Sequence, residues 1–113
     1  MAEQKDLGKS STGMAPNLAA ALSYLLGVIT GIIFYVLEKE NKFVRFHAMQ
    51  SILFSGVWIV MNVILTIVPI VGWMMAGIVN VIGMVLWLVV LFKAFSGEQF
   101  KIPVIGDLAE KNI

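Results

Sequence analysis

The stretch FHAMQSILFSGVWIVMNVILTIVPIVGWMMAGIVNVIGMVLWLVVLF, Phe46–Phe92, runs for 47 residues between Arg45 and Lys93 without one charged side chain. A helix needs about 20 residues to cross a hydrocarbon core of roughly 30 Å, so one span cannot use this length and two can. Pro and Gly punctuate helices. Val68-Pro69-Ile70-Val71-Gly72 therefore marks a tight turn between a helix over about 43–67 and another over about 73–95. The turn is uncharged and sits at the headgroup boundary, where Trp73 can anchor it.

Outward from this run, Lys9 and Glu38 bracket a second uncharged stretch, whose apolar part is Leu18–Leu37. Its length is that of one further span, read over about 17–38, with Asn17 after Pro16 as its N-cap. The charged segment Glu38-Lys39-Glu40-Asn41-Lys42 ends it. Residues 1–16 are polar and mixed in charge, and read as a disordered tail on a chain whose first helix is its own targeting signal. Residues 96–113 alternate apolar and polar types around Pro103 and Gly106 and read as an interfacial tail, too short and polar to span.

The composition agrees. The 113-residue chain is 59% hydrophobic and 13% charged, against about 25% charged residues in ordinary soluble domains. A soluble domain of this size could not bury so much apolar surface. The expected fold class is all-α: an integral membrane bundle of three transmembrane helices, 17–95, with an interfacial C-terminal segment. A net charge of +1 offers no field for nucleic acid. With no cysteine and one histidine, thiolate chemistry is excluded and no metal-ligand spacing is present. No catalytic residue, metal site or cofactor is expected, and the chain is not read as an enzyme.

Four candidate features remain. Ala19, Ser23, Gly27 and Gly31, spaced by four, form a small-residue stripe on which another helix can pack, within the chain or in a second copy. Ser51, Ser55 and Asn62 lie along one stripe of the second helix, and Asn80 on the third. Polar groups in lipid face protein, so these act as glue between helices or line a solute path. Asn62 and Asn80 stand at similar depth below the turn and can satisfy one another. At the point where the second helix leaves water, Arg45, Phe46, His47 and Gln50 form an interfacial motif, with His47 as a hydrogen-bond hub tying the loop or the returning tail to the helix.

The motif Phe43-Val44-Arg45-Phe46-His47-Ala48-Met49-Gln50-Ser51, behind an acidic-basic loop, resembles the small prokaryotic membrane proteins related to the chloroplast import component Tic-twenty. The ending from Phe95 to Gly106 is similar to the same family's close. The resemblance covers about Leu18–Gly106. It implies a membrane protein and singles out His47 and Gln50, and it names no substrate.

The resulting expectation is a non-enzymatic protein of a prokaryotic cell membrane that acts by binding, as a subunit or assembly factor. Its partners are the lipid bilayer and other membrane proteins or further copies of itself. The alternative is an oligomeric solute or ion pathway. With three spans, Lys5 and Lys9 fall on one side and Lys39, Lys42, Arg45, Lys93, Lys101 and Lys111 on the other. Positive residues favour the cytoplasm, which puts the N-terminus outside and the C-terminus inside.

Overall fold

A computed structural model describes residues 7–113, so the first six residues of the expected tail lie outside the described residues. Five helices follow in order: α1 Pro16–Leu25, α2 Val28–Leu37, α3 Lys42–Ile67, α4 Val71–Phe95 and α5 Ile105–Lys111. The described residues contain no strand.

Two helices, not three, have the length and composition of membrane spans. At about 1.5 Å per residue, α3 with 26 residues and α4 with 25 measure about 39 and 37 Å. Their most apolar windows have mean hydropathies of 1.8 and 2.5. The segment expected to form the first span is broken at Leu26-Gly27 into two helices of 10 residues, about 15 Å each and too short to cross. Gly27 has φ 62 and ψ −123, a conformation open to glycine and strained for other residues. Thr30 stitches the break: its hydroxyl accepts from the Leu26 N–H at 3.1 Å and donates to the Ser23 carbonyl at 2.9 Å.

The break reverses the chain. α1 packs along α4 and α3, and α2 returns along α3. Asn17 Nδ2 donates to the Phe95 carbonyl, so it bridges α1 to α4; Ala15 is the N-cap and Pro16 the first helical residue. Higher on the same pair, Trp87 Nε1 donates to the Tyr24 carbonyl at 2.7 Å. Gly27 lies against Ser55 and Gly31 against Ala48 and Ile52. The carboxylate of Glu38, just after α2, meets Ser11, just before α1. α1 and α2 are therefore a helical hairpin with both ends at one end of the molecule.

Residues 7–15 cross that end; Leu7 and Lys9 present carbonyls to Asn41 Nδ2. The C-terminal segment arrives at the same end, with Tyr35 Oη donating to the Asn112 carbonyl. Residues 7–17 and 95–113 are thus neighbours, where three crossings were expected to set them on opposite sides. The segment that had to provide the odd crossing turns back instead.

The start of α4 and of α5 share one device. Val68-Pro69-Ile70-Val71-Gly72 and Ile102-Pro103-Val104-Ile105-Gly106 are near-copies in sequence. In each, the residue after Pro has positive φ, 65 for Ile70 and 68 for Val104. In each, the following N–H donates to the Pro carbonyl at 2.7 Å, closing a three-residue turn. Packing is uneven along the long axis. The buried core, including Ala20, Tyr24, Phe34, Phe43, Phe46, Val90 and Ala94, lies where the hairpin and tail meet α3 and α4. Toward the Val68–Gly72 turn, Ile64, Ile67, Ile70, Trp73 and Met74 are 56–73% exposed. An apolar surface of that extent suits lipid rather than water.

Candidate functional site

Where the hairpin, α3 and the tail converge, the buried side chains are polar. Asn41 caps α3 by accepting from the Val44 N–H at 3.1 Å. Glu38 is fully buried. Its carboxylate accepts from the Ser11 N–H and hydroxyl and from the N–H groups of Glu40 and Asn41, at 2.7–3.2 Å. Burial pushes this carboxyl up, but the bonds from Asn41, Ser11 and Glu40 outweigh it and hold it below its ordinary value. Arg45 donates to the carbonyls of Glu38 at 2.6 Å and Tyr35 at 3.3 Å, and its guanidinium stacks over the Tyr35 ring at 4.2 Å.

One turn deeper, His47 and Gln50 tie three segments together. His47 Nε2 lies 3.0 Å from the Glu98 carbonyl and Nδ1 lies 2.6 Å from Tyr24 Oη. A carbonyl only accepts, so the network assigns the proton to Nε2, and the neutral ring accepts from Tyr24 through Nδ1. Gln50 Nε2 donates to Tyr24 Oη at 2.8 Å and to the Phe100 carbonyl at 2.9 Å, while Oε1 accepts from the Ile102 N–H at 2.9 Å. Phe46, Phe43 and Tyr24 close around the imidazole edge-on, with centroids 4.7–5.4 Å away. His47 reaches the tail through a main-chain carbonyl; the Glu98 carboxylate instead faces Lys93 at 3.5 Å, and Asp107 lies near Lys101.

The small-residue stripe lies inside the chain. Ala19 is buried with Phe34, Val44 and Ala48. Ser23 donates to the Ala20 carbonyl, and its own carbonyl accepts from Ser51 Oγ at 2.7 Å. Ser51 also reaches the Gly27 carbonyl at 3.1 Å. Because of the break, Gly27 and Gly31 meet α3 from the returning arm and do not continue one straight face. Ser55 sits under the hairpin tip.

Farther along, Asn62 and Asn80 exchange two bonds, Asn80 Nδ2 to Asn62 Oδ1 at 2.9 Å and the reverse at 3.0 Å. Trp58 Nε1 adds a donor to Asn80 Oδ1 at 2.6 Å. Sequence reading missed Tyr24, Glu38 and Asn41 as members of these networks. A tyrosine within an apolar run is itself a signal, because a buried hydroxyl seeks a partner.

No described buried side-chain nitrogen or oxygen lacks a partner, and the described residues bring no three His, Asp or Glu together as a metal site. The arrangement holds segments of the chain together.

Residues 9–109 match the model of the magnetosome magnetite crystal formation protein family, MamF/MmsF. A UPF0132 membrane protein of Methanocaldococcus jannaschii is 57% identical over 106 residues, which cover 93% of this chain and 94% of that protein. A UPF0132 membrane protein of Archaeoglobus fulgidus is 52% identical, covering 88% and 97% respectively. No solved structure matches. These matches support a membrane protein and give no support to the resemblance to the Tic-twenty import component drawn from Phe43–Ser51. With the family model spanning nearly the whole sequence, the chain belongs to the MamF/MmsF family of membrane proteins.

Proposed function

We propose that the protein crosses the membrane twice, through α3 and α4, with α1–α2 as a re-entrant hairpin and the charged end in the cytoplasm. In this reading it acts by binding, as a subunit or assembly factor for other membrane components, and not by catalysis. The observation that carries the reading is the saturation of its buried polar groups: Glu38, Asn41, His47, Gln50 and Ser51 all spend their bonding capacity on the chain itself. Orientation follows from charge. Lys9, Lys39, Lys42, Arg45, Lys93, Lys101 and Lys111 belong to segments at the hairpin-base end, and the Val68–Gly72 turn has none. The family description concerns magnetosome magnetite crystal formation; for this chain we take from it only a part in the formation of an assembly.

The chain has no cysteine, so single replacements report cleanly. Ser10→Cys and Glu110→Cys are expected to react with an impermeant maleimide only in inside-out vesicles, and Ile70→Cys only from the opposite side. Labelling of Ser10→Cys and Glu110→Cys from opposite sides refutes the two-crossing reading. The binding role is tested by quantitative capture from mild detergent with His47→Ala beside His47→Gln. The glutamine keeps a donor and an acceptor, so it is expected to retain partners and thermal stability that alanine loses. Solute flux through liposomes holding the wild-type protein refutes binding as the primary role.

A further inference from the structure

We infer that the α1–α2 hairpin is a wedge in one leaflet, and that the protein therefore favours membranes curved convex toward its charged end. This rests on the re-entrant reading above. The tip, Gly27, stands at Ser55, 13 residues along α3 from Lys42 and about 20 Å from it at 1.5 Å per residue. That is about halfway along α3. From the charged end to this level the chain presents four helices side by side; from this level to the Val68–Gly72 turn it presents two.

The hairpin displaces lipid tails, because its outward side is apolar. Leu25, Leu26, Ile29, Ile32, Ile33 and Val36 are 46–63% exposed. Its inward side carries the small Ala19, Ala20, Ser23 and Gly31, with Tyr24 and Phe34 as the large buried residues among them, so it seats closely on α3 and α4. Below the tip a groove of about 520 Å³, lined by Gly27, Ser55, Trp58, Asn62, Met84 and Trp87, is filled by none of the described residues. Lipid tails of the far leaflet must occupy this step. The wedge is held firmly: Glu38 clamps its base to Ser11, Arg45 holds the α2 end, and Ser51 holds Gly27 near the tip. A rigid body with more cross-section in one leaflet expands that leaflet relative to the other. Bending toward the expanded side relieves the mismatch, as with helices inserted in one leaflet. If the charged end is cytoplasmic, the favoured membrane bulges toward the cytoplasm, as the surface of an internal vesicle does.

The test uses the full chain labelled at Glu40→Cys and reconstituted into phosphatidylcholine–phosphatidylglycerol vesicles of mixed diameter. Protein density per unit lipid is read vesicle by vesicle, counting only labels that an external quencher reaches. Density is expected to rise several-fold from the largest to the smallest vesicles. A flat profile overturns the wedge. Leu26→Lys combined with Ile29→Lys is expected to abolish the gradient in protein that still folds in detergent, and an unchanged gradient also overturns the wedge. If that variant does not fold, the wild-type profile decides. Depth-dependent quenching of a label at Leu26→Cys separates the two levels. A tip reached only from the far side removes the re-entrant reading itself; a tip buried in the charged-side leaflet with a flat profile removes the wedge alone.

Discussion

Replacing Gln50 by leucine removes a side chain that, like His47, bonds at once to α1 and to the returning tail, while keeping similar volume. Three bonds disappear, to Tyr24 Oη, to the Phe100 carbonyl and from the Ile102 N–H, at 2.8–2.9 Å. Gln50 is fully buried and Ile102 is 3% exposed, so water reaches the orphaned groups poorly. Each buried main-chain group left without a partner costs about 1–3 kcal/mol, which for the two groups sets the expected loss at about 2–6 kcal/mol. Tyr24 keeps its bond to His47 and adds little. Unfolding in mixed micelles, followed by tryptophan fluorescence, measures the loss. A label at Glu110→Cys is expected to become more mobile in the same variant, because two of the bonds that tie the tail to α3 are gone. Tyr24→Phe combined with Gln50→Leu is expected to cost less than the sum of the two, since both belong to one network. A loss below about 0.5 kcal/mol, the range of ordinary surface changes, would refute the claim that this network holds the tail.

Glu38 is held below its ordinary value of 4.5, so its contribution is complete above that value and is lost as pH falls through the folded-state value. Thermal stability in detergent is expected to drop on acidification below about pH 4.5, and Glu38→Gln should flatten that dependence. Gly27→Leu places a Cβ at positive φ within 2.8 Å of Ser55 Oγ and is expected to cost about 2–4 kcal/mol. Gly77→Leu, with nothing within 4 Å of the added carbon, is the matched control and should leave stability nearly unchanged. Asn62→Leu and Asn80→Leu are each expected to lose about 0.6–2 kcal/mol, and a double-mutant cycle should show that the second loss is mostly shared with the first.

The uncharged run and the Pro69 turn made α3 and α4 legible because both signals are local: an apolar length and a chain breaker. The hairpin was not legible. Leu18–Leu37 has the length of a span, and a single glycine is common inside membrane helices, so Gly27 gave no local sign of reversal. What reverses the chain is spread along it, in Thr30 bonding back to Ser23 and in Glu38 meeting Ser11. His47 and Gln50 stood out as polar groups at a membrane boundary. Their acceptors did not, because Glu98 and Phe100 contribute main-chain carbonyls that any residue carries. Tyr24, which links the two, lies 23 residues from His47 in a stretch otherwise read as apolar.

The uncharged Val68–Gly72 turn bears on how such a chain enters the bilayer during synthesis. On the two-crossing reading proposed above, this turn is all that must be translocated when α3 and α4 insert together as a hairpin, and it has no Lys, Arg, Asp or Glu. Moving one elementary charge against a membrane potential involves about 2.3 kcal/mol per 100 mV; here no charge moves. Insertion of the newly made chain is therefore expected to proceed at the same rate whether the membrane is energised or depolarised by an uncoupler.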